Sequence, residues 1–177
     1  MKEEGVLEFC EPSHADALLK MYLTFEPRGS YGGLPSRRDE LIKDWISGLT
    51  GDPLNLNLVF VQDGVIAGHC CLVYDPRFPR VYEIVIFVHQ GFQHKGLGKR
   101  LFLATMKAGC MCLELKEVWL LVDWGNRKAR DMYEKLGFSS CPSQDKFDHR
   151  DEIRMRRLLG CTFCRTFACE IWTSDLM

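Results

Sequence analysis

Val81-Tyr82-Glu83-Ile84-Val85-Ile86-Phe87-Val88 is the segment that most limits what this chain can fold into. Seven of its eight residues are apolar or aromatic and five are β-branched. Such a run reads as a strand covered on both faces, which requires helices on either side of a sheet. Glu83 is the one charge inside it. The strand leads through Gln93-His94-Lys95-Gly96-Leu97-Gly98 into a stretch, Gly96–Gly109, where Leu97, Leu101, Ala104 and Ala108 share one stripe, so a helix follows. Strand, glycine-containing turn and helix N-terminus together make an anion site. The first-turn N–H groups lack intrahelical partners and the peptide dipoles place partial positive charge there. Gly96 and Gly98 let a ligand approach the backbone, and Lys95, Lys99 and Arg100 add charge. A pyrophosphate suits such a turn, although the spacing is neither the dinucleotide fingerprint nor a nucleotide P-loop.

The rest of the chain supplies the layers. Val6–Cys10 reads as a first strand. Pro12-Ser13 opens a helix whose apolar face is Ala15, Leu18, Leu19 and Tyr22, and Glu26–Ser36 is a glycine- and proline-rich loop. Ser36 is expected to cap a second helix carrying Leu41, Ile42, Trp45 and Leu49. Asn57–Gln62 and Val65–Tyr74 flank Asp63-Gly64, a hairpin signal. Asp75–Arg80 turns into Val81–Val88. Glu117–Val122 is another buried strand, Arg127–Leu136 a helix stopped by Gly137, and Arg150–Leu159 a last strand. The order β-α-α-β-β-β-α-β-α-β-β predicts an α/β (α+β) mixed sheet covered by helices.

Length and charge narrow the function classes. The 177 residues suit one domain, residues 1–158, followed by an apolar, cysteine-rich tail, 159–177, packed on that domain or at a homodimer interface. A net charge of -1 argues against nucleic acid. No apolar run is long enough for a membrane span, and the charged residues among 1–20 argue against a signal peptide. The nine cysteines are then expected to be reduced in a cytoplasmic protein. Only Cys161-x2-Cys164, with Cys169 and His149, has any metal-ligand spacing, a weak signal, and no metal site is expected.

Two separated blocks carry a resemblance. Gln93-x-x-Gly96-x-Gly98 is similar to the acetyl-CoA signature of the GCN5-related N-acetyltransferase (GNAT) superfamily. Asn126-x-x-Ala129-x-x-x-Tyr133-Glu134-Lys135-Leu136-Gly137-Phe138 resembles that family's second block, preceded as there by a strand. Gln90 departs from the family, which commonly has proline at this point. The resemblance implies a GNAT-like, largely antiparallel sheet of 6–7 strands flanked by about four helices and splayed between the fourth and fifth strands. It implies acetyl-CoA as co-substrate. Backbone of Ile86, Phe87 and Val88 would pair with pantetheine, and amides across His94, Lys95, Gly96, Leu97, Gly98 and Lys99, with Gln93, would hold the pyrophosphate. Asn126 would donate to a pantetheine carbonyl or simply cap its helix.

The same resemblance makes Tyr133 the acid for the departing thiolate; its competing role is a core tyrosine. Amine attack also requires a proton acceptor. Glu83 is the candidate, because a buried carboxylate is costly unless partnered or functional, and a paired structural carboxylate is the other reading. Asp123, Glu26, Asp75 or an ordered-water relay are substitutes. A covalent route through Cys70 or Cys71 is disfavoured, since adjacent strand residues such as His69 and Cys70 face opposite ways.

The acceptor is expected to be a small-molecule or protein amine, with a small cationic amine favoured. Residues 1–90 hold 8 Lys+Arg and 13 Asp+Glu, a net of -5, against 15 and 11, a net of +4, in residues 91–177; the resemblance implies an acceptor pocket in the acidic half, and an ordinary solvated surface is the other reading. Glu26, Tyr31 and Asp75 are candidate acceptor-wall residues. The function expected is direct acetyl transfer to a primary amine. The alternative is a degenerate module that binds CoA without turnover.

Overall fold

The structure is a computed structural model and describes residues 5–29, 35–141 and 152–159. A seven-stranded sheet forms its middle: β1 (Val6–Phe9), β2 (Leu56–Gln62), β3 (Val65–Tyr74), β4 (Val81–Val88), β5 (Glu117–Asp123), β6 (Ser139–Ser140) and β7 (Glu152–Leu158), in spatial order β1-β2-β3-β4-β5-β7-β6. Every neighbouring pair is antiparallel except β4 and β5, which run parallel. The helices are α1 (Ala15–Leu23), α2 (Asp39–Gly51), α3 (Leu97–Cys112) and α4 (Arg127–Lys135). Tyr31, His149, Cys161, Cys164, Cys169 and residues 160–177 of the expected tail lie outside the described residues.

Alternation along the strands sorts the core into two layers. Leu58, Cys70, Leu72, Tyr82, Ile84, Val118, Leu120 and Val122 pack with Leu101, Phe102, Met106 and Tyr133 of α3 and α4. Val59, Ile66 and Phe87 face the other way, onto Leu18, Met21, Tyr22, Ile42 and Ile46 of α1 and α2. Val81–Val88 is thus covered on both sides, as its composition predicts. At Gly109 a Cβ would stand 2.3 Å from Leu72 Cδ1, so α3 approaches β3 too closely for any larger residue without repacking.

A buried polar chain ties α1 and α2 to the sheet. Tyr22 OH lies 2.8 Å from His69 Nδ1, His69 Nε2 lies 3.0 Å from Asn57 Oδ1, and Asn57 Nδ2 donates to the Leu49 carbonyl at 2.9 Å. With Asn57 Oδ1 as acceptor, His69 carries its proton on Nε2 and accepts the Tyr22 hydroxyl proton at Nδ1. Burial lowers the His69 pKa to about 4, so the ring is neutral.

One local expectation is corrected. Ser36 does not cap α2; the cap position falls on Arg38, and Ser36 Oγ instead accepts the Arg38 N–H at 3.1 Å in a turn just before the helix. Asp39 and Glu40 occupy the first turn, where their charge suits the helix dipole.

Candidate active site

The sheet forks between β4 and β5. All of β4 from Tyr82 to Val88 pairs with β3, but its pairing with β5 covers only Val81, Tyr82 and Glu83, against Glu117, Val118 and Trp119. Beyond Glu83 the two strands part, and among the described residues β5 does not pair with Ile84–Val88. Unpaired backbone at a strand edge is a template for another extended chain. The fork opens into a cleft of about 640 Å³, lined by Ile84–Val88, Leu121–Asp123, the starts of α3 and α4, and Tyr133.

The α3 end of the cleft is a helix N-terminus entered through two left-handed residues. Gly96, at φ +76°, occupies the N-cap, and no side chain caps the helix. His94 is also left-handed at φ +63°, so the turn reverses twice before the helix begins. Among the described residues no side chain caps the amides of Leu97 and Gly98 that open this first turn. Gly98 differs in kind from Gly96: its φ is ordinary and a Cβ there would sit 3.7 Å from Val88 Cγ2, a normal contact. The fold itself makes no demand for glycine at that position. Gln93 Nε2 donates to the Val88 carbonyl at 2.8 Å, pinning the turn to the end of β4. Asn126 caps α4, its Oδ1 accepting the Ala129 N–H at 3.2 Å, and the residue is part of the cleft lining.

Charge is polarised through the fork. Lys99 and Lys128 line the cleft from the first turns of α3 and α4. Glu83, Asp123 and Glu152 line it from strand positions on the face turned towards α1 and α2, with Asp123 and Glu152 directly opposite in register. Burial raises the Glu83 pKa to about 7; Arg154 and Arg77 oppose the rise, Glu152 and Asp75 add to it. Among the described residues nothing hydrogen-bonds the Glu83 carboxylate, so the group sits near neutrality without a fixed partner. Tyr133 is 7% exposed, rests against Phe102 with ring centroids 5.3 Å apart, and has its pKa raised by burial, which keeps the phenol protonated.

Of the residues singled out from sequence, Glu83, Ile86, Phe87, Val88, Gln93, His94, Gly96, Leu97, Gly98, Lys99, Asn126 and Tyr133 meet in this one cleft. Lys95 does not line it; its Nζ reaches the Gly91 carbonyl at 3.3 Å and lies over the Phe92 ring. Asp75 is also elsewhere, 5% exposed and gripped by Arg77, whose Nε and Nη2 each donate at 2.9 Å, so it serves the β3–β4 turn. Arg77 correspondingly lowers its pKa. Glu26 is exposed and outside the cleft lining. Sequence reasoning missed Phe25, Lys128, Met132 and Glu152. Lys128 and Met132 were within reach, since they lie one turn apart on the helix that carries Ala129 and Tyr133. Phe25 and Glu152 carry no local signal, because tertiary packing alone brings them to the cleft.

Comparison with known proteins agrees with this geometry. A family model described as "Acetyltransferase (GNAT) family" matches residues 16–138. A spermidine N(1)-acetyltransferase of Escherichia coli (strain K12) is 39% identical over 77 residues, which is 44% of this chain and 41% of that protein. The chain thus matches about two-fifths of the length of that curated relative. Among solved structures, an acetyltransferase of GNAT family from Streptococcus pneumoniae superposes with a TM-score of 0.70 at 19% identity, covering 88% of this chain and 100% of that one. The spermidine N-acetyltransferase from Vibrio cholerae in complex with CoA and spermine gives 0.69 at 18% identity, covering 91% and 98%. The structural likeness establishes a shared fold, and the family model, which spans well over half the sequence and both motif blocks, establishes descent: the chain belongs to the acetyltransferase (GNAT) family.

Proposed function

We propose that this protein transfers the acetyl group of acetyl-CoA directly to a primary amine of a small polycationic acceptor, in a cytoplasmic setting. The observation that carries this reading is the placement of Glu83 at the fork, with a pKa near 7, on the acidic side of a cleft whose other side is basic. The anionic donor fits the basic side. There the amides of Gly96–Lys99 and the cations Lys99 and Lys128 oppose its phosphates, and the free edge of Ile86–Val88 pairs with its extended arm. Asn126 contributes an amide donor beside that arm.

The acidic side does two things. Glu83, Asp123 and Glu152 attract a cation and hold it with its amine at the fork. Glu83 then takes the proton that the attacking nitrogen must lose, a transfer for which a pKa near the working pH is well suited. Fixing both reactants in one cleft removes most of the bimolecular cost. Tyr133 approaches from the α3/α4 side and hands its proton to the departing sulfur, so base and acid work from opposite faces of the sheet. The similarity to spermidine acetyltransferases supports a polyamine-like acceptor.

Incubation with acetyl-CoA and a panel of amines tests this. Release of free thiol together with a singly acetylated polyamine by mass spectrometry is the expected result. Acetyl-CoA binding by calorimetry with no thiol release on any amine would favour a CoA-binding module without turnover and reject the proposal.

A further inference from the structure

The side-chain amide of Gln90 is committed at both ends. Its Oε1 accepts the Glu26 N–H at 3.0 Å, and its Nε2 donates to the Thr24 carbonyl at 2.8 Å. These are the two backbone groups that flank Phe25. A second contact backs them, with Thr24 Oγ1 3.3 Å from His89 Nε2. Phe25 is 2% exposed, meets the Phe87 ring edge-on at 5.4 Å, and is the residue of the α1-following segment that lines the cleft. Gln90 itself is exposed and is not part of the cleft lining. It stands between the end of β4 and the anion-binding turn.

From this geometry we infer that Gln90 is a positioning residue for the amine acceptor. It holds Phe25 as a fixed wall on the acceptor side while touching neither substrate. The inference rests on the reading above, in which the Glu83 face of the cleft receives the amine. Thr24 and Glu26 are both exposed, so water would satisfy their backbone groups if the amide left. Removing the clamp therefore costs little global stability. What it releases is local freedom of the Phe25 segment, which acceptor binding must then freeze again. An acceptor KM is where that cost registers. Proline, common in the family at this point, has no amide to make either bond.

Gln90→Ala is the primary test, with steady-state kinetics at saturating acetyl-CoA. The acceptor KM is expected to rise about fivefold, in line with the loss of two solvent-exchangeable hydrogen bonds, while kcat, the acetyl-CoA KM and Tm stay as in the wild type. Gln90→Glu can still accept from Glu26 but sets a carboxylate against the Thr24 carbonyl, and should be no better than alanine. In a Phe25→Leu background, chosen to keep the core filled, Gln90→Ala should add much less than fivefold, because both changes act on one wall. An unchanged acceptor KM, a fall in Tm and kcat together, or full additivity with Phe25→Leu would overturn the inference. A wild-type protein that acetylates no amine would instead remove the functional reading beneath it.

Discussion

Glu83 and His69 make an instructive pair. His69 is fully buried and Glu83 half-buried; both are titratable groups on adjacent strands, on the face of the sheet turned towards α1 and α2, and desolvation perturbs both. His69 has a partner for each ring nitrogen, and its pKa of about 4 keeps it neutral at any physiological pH. Glu83 has cations nearby but no hydrogen-bond donor among the described residues, and its pKa of about 7 leaves it able to switch. Burial moves a pKa in either case; completeness of hydrogen bonding decides whether the result is a fastener or a reagent.

Replacing each group should therefore break different properties. Glu83→Gln should lower kcat/KM by about 10²–10⁴-fold with Tm held or raised, as expected for loss of a general base. Steady-state kinetics beside a thermal melt reads both, and retention of more than a third of the activity would reassign Glu83 to a structural role. His69→Ala should do the reverse. It strands the Tyr22 hydroxyl and the Asn57 carbonyl and opens a cavity, costing about 2–4 kcal/mol by urea denaturation while the folded fraction keeps its kcat.

Tyr133→Phe comes next in size. Turnover should drop about 10–100-fold with acetyl-CoA affinity nearly unchanged, because only a proton donor to the leaving sulfur is lost. Equal loss in affinity would place the hydroxyl in ground-state binding.

The pH dependence sharpens the contrast because the two groups act with opposite sign. A folded His69 pKa of about 4 lies below the 6.5 of an unfolded histidine. Its stability contribution is complete above 6.5 and is lost as pH falls towards 4, by about 3 kcal/mol. A folded Glu83 pKa of about 7 lies above the ordinary 4.5. Its contribution is complete below 4.5 and is lost as pH rises through 7. Denaturation profiles from pH 4 to 8 should show Glu83→Gln removing only the second slope, with a matching loss of the rise in kcat/KM near pH 7.

The smallest effect separates the glycines of the anion turn. Gly98→Ala should leave stability within about 0.5 kcal/mol and raise the acetyl-CoA KM, since no protein atom crowds the new methyl. Gly96→Ala should cost about 1 kcal/mol of stability from its left-handed φ alone. Chemical denaturation and donor titration of both variants distinguish strain from obstruction.

Much of this architecture could be read before any coordinates. Val81–Val88 has the bounds its composition predicts, the Asp63-Gly64 hairpin closes as expected, and the elements named from periodicity follow in the observed order, with, of the strands, only the two-residue β6 (Ser139–Ser140) carrying no periodic signal. What resisted reading was tertiary. Ser36 looks like a cap, yet its hydroxyl accepts the Arg38 N–H and α2 begins only at Asp39. Asp75 looked available until its turn wrapped Arg77 around it. Gln90 looked like a blemish in a motif, and its bonds to Thr24 and Glu26 span more than sixty positions of chain. Local pattern reports propensity and helix face; it carries no record of which distant backbone a side chain will meet.

Three rungs, Val81 to Glu83 against Glu117 to Trp119, are the whole ladder joining β4 to β5. Mechanically that is a seam: four strands lie on one side, three on the other, and few backbone bonds cross. An extended guest laid along the open edge would act as stitching. It would restore the missing rungs on the β4 side, adding backbone bonds where the halves are now joined chiefly by their shared core against α3 and α4.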